Sequence, residues 1–261
     1  AEGSSDDEMV GKPSCPSSRM DSLQSVCDEM SRRSTSDEPG APRSMRAPRL
    51  AVAKPTVISI EGIIGAGKTT LLHRIERILA ESPEAAGLRD ASKIAILPEP
   101  VDEWNRFRDE RGKSCLELFY HDRAKHAFLM QMIVGMSLID RLQKAINEGY
   151  ELIITERSLG ASYNVFAQML SRDGHLSRLE MQVFRHWYGR MSPLLPTIHH
   201  VYLSVDPQVA LHRVEKRQRP GENVDLDYLG KCHRQHLEWI FDGSFCDPAL
   251  SWTLIDGTPD V

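Results

Sequence analysis

Short apolar runs alternate with longer amphipathic segments along the chain from residue 56 onward. Continuous apolar runs separated by helical patterns are typical of buried parallel strands. The pattern therefore predicts one doubly wound α/β domain, with a five-stranded parallel sheet flanked by helices. The predicted strands are Val57–Ile60, Ile94–Leu97, Leu152–Thr155, His200–Val205 and Trp252–Ile255. The predicted helices are Lys68–Ala80, Arg123–Asn147, Leu159–Leu170, Leu179–Met191, Pro207–Arg217 and Asp225–Phe241.

An acidic residue follows each of the predicted strands. These acids are Glu61, Glu99, Glu156, Asp206 and Asp256. Ligands of open parallel sheets bind beyond the carboxyl ends of the strands, so several of the acids are expected to surround one ligand. Asp206 is better interpreted as a helix cap, because Pro207 behind it suits the first helical position.

The first 54 residues differ from the rest of the chain. They are rich in Ser, Pro, Arg and acidic residues and have few apolar ones, so residues 1–54 are predicted to be a disordered tail. Residues 32–54 are basic and contain serine, as a mitochondrial presequence would be, but Asp6, Asp7 and Glu8 favour a solvated tail instead. Residues 55–261 are predicted to form the folded domain.

Composition narrows the class of protein and its partners. A net charge of −5 gives no general attraction to nucleic acid, and no apolar run is long enough to cross a membrane. The five cysteines have no C-x-x-C spacing, which favours a reducing compartment over a disulfide framework. An intracellular protein is expected, with the cytoplasm favoured and mitochondria or the nucleus as alternatives.

A glycine-rich loop joins the first strand to the first helix. Gly62, Gly67, Lys68 and Thr69 match G-x-x-x-x-G-K-[ST], a loop whose backbone N–H groups converge on phosphate at a helix N-terminus. The lysine reaches the outer phosphates, and the threonine hydroxyl ligates Mg²⁺. The loop predicts binding of a nucleoside triphosphate, with contacts from Gly62, Ile63, Ile64, Gly65, Ala66, Gly67, Lys68, Thr69 and Thr70.

Two acids and an arginine are candidates for the chemistry. Glu156 ends a buried strand, where P-loop proteins keep a carboxylate that holds Mg²⁺. Arg157 is placed to stabilise a transferring phosphoryl group or a neighbouring carboxylate. Glu99, fixed between Pro98 and Pro100, could take a proton from a hydroxyl nucleophile, or could be a structural acid in a proline-rich turn.

Positive charge is concentrated where the helix 207–217 gives way to a loop. Arg213 and Arg217 share a helix face, and Arg219 follows in the loop. Such a segment predicts a lid that closes over triphosphate, and a solvated basic face is the alternative. Cys232, His233 and His236 lie within about one helical turn and have no second ligand pair, so no zinc site is predicted.

Together these motifs resemble the deoxyribonucleoside kinases from about Thr56 to the end of the chain. The resemblance rests on Glu61-Gly-x-x-Gly-x-Gly-Lys68, Pro98-Glu-Pro-Val-x-x-Trp104, Tyr120 followed by Gln131, Glu156-Arg-Ser158, and the arginine-rich lid. It implies a P-loop kinase fold, ATP and Mg²⁺ as cofactors, a deoxynucleoside as the acceptor, and a homodimer.

The resemblance also implies a role for each matching residue. Glu99 would take the proton of the nucleoside 5′-hydroxyl, oriented by Arg157, and Thr69 and Glu156 would hold Mg²⁺. The phosphates would be clamped by Lys68, Arg213, Arg217 and Arg219, and the donor adenine would pack near Asp256. The nucleoside would be bound by Glu99, Trp104, Tyr120, Met130, Gln131, Val134, Leu138, Arg157, Ser162, Phe166 and Glu222.

The base pocket departs from that of the cytosine- and purine-preferring members. Those members carry an Arg/Asp pair where this chain has Leu138 and Ser162, which with Val134 would make a small apolar pocket. A pyrimidine deoxynucleoside is therefore expected, with thymidine favoured. Two alternatives stay open from the residues alone: a nucleoside monophosphate kinase, and a nucleotide-dependent switch without phosphotransfer.

Overall fold

The computed structural model describes residues 54–81, 94–219, 221–246 and 251–258. The predicted N-terminal tail therefore lies outside the described residues, apart from Lys54. No helix among the described residues is long and apolar enough to cross a membrane.

Five strands form one parallel sheet, as the sequence predicts, and their order in it is β2-β3-β1-β4-β5. The strands are β1 (Thr56–Glu61), β2 (Ile94–Leu97), β3 (Leu152–Glu156), β4 (Ile198–Ser204) and β5 (Trp252–Asp256). The central strand β1 pairs Ile60 with Glu156 of β3 and Glu61 with Tyr202 of β4. This register brings the carboxyl ends of β1 and β3 to one level of the sheet edge.

Helices connect the strands and cover the sheet. They are α1 (Lys68–Glu81), α2 (Val101–Trp104), α3 (Cys115–His121), α4 (Arg123–Asn147), α5 (Leu159–Ala161 and Gln168–Arg172, joined by π-helical Ser162–Ala167), α6 (Arg178–Met191), α7 (Pro207–Arg217) and α8 (Leu226–Cys246). A 3₁₀ turn, Ser192–Leu194, follows α6. All six predicted helices occur within a few residues of their predicted bounds, whereas α2 and α3 were not predicted.

The short helix α3 has a local signal in the sequence. The Ser114 hydroxyl accepts from the Glu117 N–H, and the Glu117 carboxylate accepts from the Ser114 N–H at 2.7 Å. This capping box satisfies two N–H groups that the helix itself leaves unpaired. The helix begins there and carries Tyr120 toward the sheet edge.

The main hydrophobic core packs the helices against the sheet and the glycine loop. Ile63 and Ala66 of the loop are fully buried in it beside Leu203 of β4. Gly65 has a φ of 81°, and a Cβ atom there would lie 2.4 Å from the Ala210 oxygen of α7. The lid helix therefore packs directly on the phosphate loop, an approach that only glycine allows.

Candidate active site

A cavity of about 570 Å³ opens beyond the carboxyl ends of β1, β2 and β3, a size typical of small-molecule sites. All residues predicted to contact the nucleoside line it: Glu99, Trp104, Tyr120, Met130, Gln131, Val134, Leu138, Arg157, Ser162, Phe166 and Glu222. The predicted phosphate and metal ligands that line the same cavity are Ile64, Gly65, Gly67, Lys68, Thr69, Thr70, Glu156, Arg213, Arg217 and Arg219.

Four predicted residues do not line the cavity. Gly62, Ile63 and Ala66 contribute backbone or core contacts behind it. Asp256 is exposed at the end of β5, where its carboxylate accepts from the Thr258 N–H at 2.9 Å. Its predicted contact with the donor adenine stays a prediction.

Lys68 is buried at the start of α1, where its charge is costly. Its ammonium donates to the Ile63 carbonyl at 3.0 Å and lies 3.9 Å from the Glu156 carboxylate. Burial and the nearby Arg157 lower the pKa of Lys68 to about 8, although the surrounding carboxylates oppose the shift. A bound triphosphate would supply the negative charge that favours the protonated amine.

Thr69 and Glu156 bring two oxygen ligands together. The Thr69 hydroxyl donates to the Glu156 carboxylate at 2.9 Å, and the Glu99 N–H lies 3.4 Å from the same oxygen. Neighbouring ligands of octahedral Mg²⁺ at about 2.1 Å from the ion are roughly 3 Å apart, so this pair fits one magnesium ion. The described residues contain no group of three or more His, Cys, Asp or Glu side chains that could hold a metal.

Glu99 and Arg157 form a partly buried ion pair at the wall of the cavity. Arg157 Nε donates to Glu99 Oε1 at 2.6 Å, and its Nη1 donates to the Gly62 carbonyl at 3.1 Å. The guanidinium also lies 4.6 Å from the centre of the Phe166 ring. Burial disfavours ionisation of Glu99, but Arg157 and Lys68 outweigh it and hold the Glu99 pKa below its usual value. Glu99 is therefore an ionised carboxylate held in one orientation by Arg157.

The lid arginines bind two sets of acceptors, the Glu222 carboxylate and the carbonyls that follow β5. Arg217 and Arg219 approach the Glu222 carboxylate at 2.5 and 3.7 Å. Arg213 donates to the carbonyls of Gly257 at 3.0 Å and Thr258 at 3.1 Å. The Arg213 bonds connect α7 to the chain after β5, and all three arginines line the same cavity as the phosphate loop.

Tyr120 and Glu222 lie near each other at one end of the cavity. Burial, followed by the charges of Glu222 and Glu99, raises the pKa of the Tyr120 hydroxyl. The hydroxyl thus keeps its proton at neutral pH. A phenol and a carboxylate in one place can bind a sugar hydroxyl as donor and acceptor.

The other end of the cavity combines apolar walls with one buried amide. Gln131 Oε1 accepts from the Ser162 hydroxyl at 3.0 Å, and Trp104 Nε1 donates to the Ser137 hydroxyl at 2.9 Å. The π-helical turn after Ala161 places Ser162 and Phe166 at this wall, a helix irregularity often found at functional sites. The remaining apolar lining comes from Met130, Val134 and Leu138.

Five lining residues were not predicted as site residues. They are Leu116, Phe119, Ser158, Lys216 and Tyr228. The capping box before Cys115 could have shown that Leu116 and Phe119 share a helix with Tyr120. Tyr228 carries no such local signal, because only the packing of α8 on the cavity brings it there.

The arrangement is that of a phosphotransferase with a nucleotide donor and a small hydroxyl acceptor. A family model described as deoxynucleoside kinase matches residues 58–259. Human mitochondrial thymidine kinase 2 is 30% identical over 208 residues, which cover 78% of this chain and 71% of the relative. Human deoxycytidine kinase is 26% identical over 205 residues, covering 70% of this chain and 74% of the relative. Deoxycytidine kinase 2 of Gallus gallus is 24% identical over 207 residues, covering 71% of this chain and 74% of the relative.

The chain therefore belongs to the deoxynucleoside kinase family. It is an enzyme that phosphorylates deoxyribonucleosides, and the family implies ATP as the phosphate donor. The expected fold, family and type of reaction are confirmed.

Proposed function

We propose that this kinase transfers the γ-phosphoryl group of ATP to the 5′-hydroxyl of a pyrimidine deoxynucleoside, with thymidine favoured. The observation that carries the proposal is the partly buried Glu99–Arg157 pair, which shares one cavity with Lys68 and Thr69. The proposed base for the acceptor hydroxyl, Glu99, and the loop residues that would bind the donor triphosphate thus line the same cavity. In-line transfer requires this juxtaposition.

The reaction follows from the charges in the cavity. Glu99 takes the proton of the 5′-hydroxyl while the oxygen attacks the γ-phosphorus, and the bond from phosphorus to the ADP oxygen breaks. Lys68 and the lid arginines stabilise the negative charge that spreads over the phosphoryl oxygens. Thr69 and Glu156 would hold Mg²⁺, which supplies further charge neutralisation on the phosphates when bound.

The base end of the cavity supports a pyrimidine. Val134 and Leu138 offer apolar contact for a 5-methyl group, worth roughly 1–3 kcal/mol of discrimination. The Gln131 amide carries both donors and an acceptor, so it can pair with the polar edge of the ring. Ser162 occupies one side of that amide, which directs the other side to the base.

A monophosphate acceptor would need additional cations beside the acceptor site, and among the described residues between Glu99 and Gln131 no cation lines the cavity. Arg106, Arg108 and Arg111 were the nearest candidates by sequence, and none of them lines it. Arg108 instead donates to the Gly112 carbonyl in an exposed turn. The site therefore supports a nucleoside monophosphate kinase less well than a nucleoside kinase. A carboxylate in the position of Glu99 also disfavours a nucleotide-dependent switch without phosphotransfer, because a switch needs no proton acceptor.

A homodimer stays a prediction, and exposed apolar side chains support it. Leu129 and Met136 are seven residues apart on α4 and are 49% and 44% exposed. Leu179 and Val183 are exposed on α6, which contacts α4. We propose that these faces pair two copies of the chain, and light scattering of Met136→Glu beside the unmodified protein would test it.

The acceptor itself provides the test of function. The purified protein is given ATP and Mg²⁺ with thymidine, deoxycytidine, deoxyuridine, deoxyguanosine or thymidine monophosphate, and products are identified by mass. We expect thymidine 5′-monophosphate as the best product, with deoxyuridine at least about 10-fold poorer in kcat/KM. Diphosphate formed from thymidine monophosphate, with none of the nucleosides phosphorylated, would overturn the proposal.

A further inference from the structure

A fully buried carboxylate lies behind the phosphate loop, outside the cavity. Glu61 ends β1, directly before Gly62, and its side chain has no exposed surface. It does not line the cavity, so it cannot contact either substrate. An ionised group buried in this way needs a specific set of partners.

Two serines and a histidine surround one oxygen of this carboxylate. Glu61 Oε1 accepts from the Ser59 hydroxyl at 2.7 Å and the Ser158 hydroxyl at 2.6 Å, and His200 Nδ1 lies 3.4 Å away. Burial alone would raise the pKa of Glu61, but His200 and the two hydroxyls lower it to about 2. Glu61 is thus ionised at neutral pH.

Ser158 connects this carboxylate to the turn at residues 156–158, called the catalytic turn below because it carries Arg157. It directly follows Arg157, and its hydroxyl also accepts from the Ala161 N–H at 3.2 Å, which caps α5. On the other side of Arg157, Glu156 is held by the Thr69 hydroxyl. The turn is therefore fixed at both flanks, on one side by α1 and on the other by Glu61.

The turn needs this support because Arg157 is strained. Its φ of 67° lies in the left-handed region, which a side chain other than glycine rarely adopts. Such a conformation persists only where the surroundings hold it, and such positions cluster at active sites. The Arg157 N–H donates to the Ile60 carbonyl at 3.1 Å, one residue before Glu61.

We infer that Glu61 is a positioning residue for phosphoryl transfer, acting through Ser158 on Arg157 and so on the orientation of Glu99. The inference rests on the proposed function, in which Glu99 is the base. If the hydroxyl of Ser158 is lost, the turn relaxes and the Arg157–Glu99 pair loses its alignment. Small misplacements of reacting groups are enough to slow an enzyme strongly.

The chain offers a matched control for this contact. Ser59 and Ser158 are both buried and donate to the same oxygen at nearly the same distance. Ser59 lies within β1, however, while Ser158 adjoins Arg157. Removing either hydroxyl takes one hydrogen bond from Glu61, but only Ser158→Ala also breaks the contact between Glu61 and the turn that carries Arg157.

The experiment measures the single-turnover rate of thymidine phosphorylation with enzyme in excess, together with ATP affinity and the melting temperature. We expect Ser158→Ala to slow the rate about 10- to 100-fold with ATP affinity unchanged. Ser158→Thr keeps the hydroxyl and should restore the rate to within about threefold of the unmodified enzyme. Ser59→Ala should lower the melting temperature about as much as Ser158→Ala does, but should keep the single-turnover rate within about threefold of that of the unmodified enzyme.

A double substitution tests whether Glu61 itself carries the effect. Glu61→Gln alone should slow the rate, and adding Ser158→Ala to it should slow the rate by less than about threefold more, because coupled residues are not additive. Equal slowing by both serine substitutions, or full additivity with Glu61→Gln, would overturn the inference. An unmodified enzyme that phosphorylates no nucleoside would instead remove the proposed function, which separates the two failures.

Discussion

Arg157 Nε donates to Glu99 Oε1 at 2.6 Å, across the ends of two neighbouring strands of the sheet. Arg157 follows β3 and Glu99 follows β2, so the parallel sheet brings the pair together from positions 58 residues apart. The contact orients the carboxylate and keeps it ionised. The cavity therefore contains an oriented, ionised carboxylate before any substrate arrives, as the proposed proton transfer requires.

Replacing Glu99, the proposed base, should slow phosphoryl transfer strongly without unfolding the protein. Glu99→Gln preserves the shape of the side chain but removes its proton affinity. We expect kcat to fall about 10²- to 10⁴-fold, the usual contribution of a general base. Steady-state kinetics with thymidine, and ATP binding by calorimetry, would measure the two effects separately.

Glu103→Gln is the control for that experiment. Glu103 is a nearby half-exposed acid that faces Arg141 at 3.8 Å and does not line the cavity. Its substitution should leave kcat within about twofold, as surface changes usually do. An unchanged kcat in Glu99→Gln would exclude Glu99 as the base.

Binding of ATP should take up a proton in mildly alkaline solution. The pKa of Lys68 is about 8 in the free protein because burial and Arg157 disfavour its charge. Triphosphate restores the charged form, so uptake should be about half a proton at pH 8 and should approach one at higher pH. Affinity should weaken as the pH rises above 8, by up to about tenfold per unit.

Calorimetry in two buffers of different ionisation enthalpy measures this uptake directly. At pH 7 Lys68 is already protonated, so the same titration should show an uptake near zero. Equal uptake at pH 7 and pH 9 would mean that Lys68 is not the group that responds to the phosphates.

Magnesium dependence should respond to the hydroxyl of Thr69. Thr69→Val removes one of the two oxygens that lie 2.9 Å apart, while Thr69→Ser keeps it. We expect the valine variant to need at least about tenfold more Mg²⁺ for half-maximal rate, and the serine variant to resemble the unmodified enzyme. Chelation with EDTA should abolish activity, and added Mg²⁺ should restore it. The same Mg²⁺ requirement in both variants would exclude Thr69 as a ligand.

Local patterns were enough to predict the fold and much of the site. The five apolar runs gave the strands, because buried parallel strands have few polar residues. The acids after them predicted where Glu99 and Glu156 would meet, since a parallel sheet aligns its carboxyl ends. The glycine loop placed Lys68 and Thr69 at the same edge.

The contacts that depend on packing could not be read from local patterns. Nothing near Glu61 in the sequence shows that Ser158, 97 residues later, would donate to it. Tyr228 reaches the cavity only because α8 packs across it. The π-helical turn at Ser162 likewise has no local signature in the sequence, and it lies where α5 contacts α8.

Stability should fall in mild acid because of a histidine that remains neutral inside the fold. Burial lowers the pKa of His236 to about 3, while its Nδ1 donates to the Cys232 carbonyl at 2.7 Å. The unfolded chain binds a proton below its ordinary pKa of about 6.5 and the folded protein does not, so protonation favours unfolding. The stabilising effect is complete above pH 6.5 and is lost as the pH falls toward 3. The free energy of unfolding should drop by about 2 kcal/mol between pH 7.5 and pH 5 from this group alone.

Urea denaturation of His236→Asn at both pH values isolates that effect. An asparagine amide can replace the donor to the Cys232 carbonyl but does not titrate. The variant should therefore lose about 2 kcal/mol less than the unmodified protein over the same interval, whatever its starting stability. His212→Asn, at an exposed position of α7, is the matched substitution at the surface, and a change of pH dependence as large as that of His236→Asn would contradict the assignment to the buried histidine. If His236→Asn retained the full drop, the acid sensitivity would belong to other groups, because a histidine that is absent cannot take up a proton.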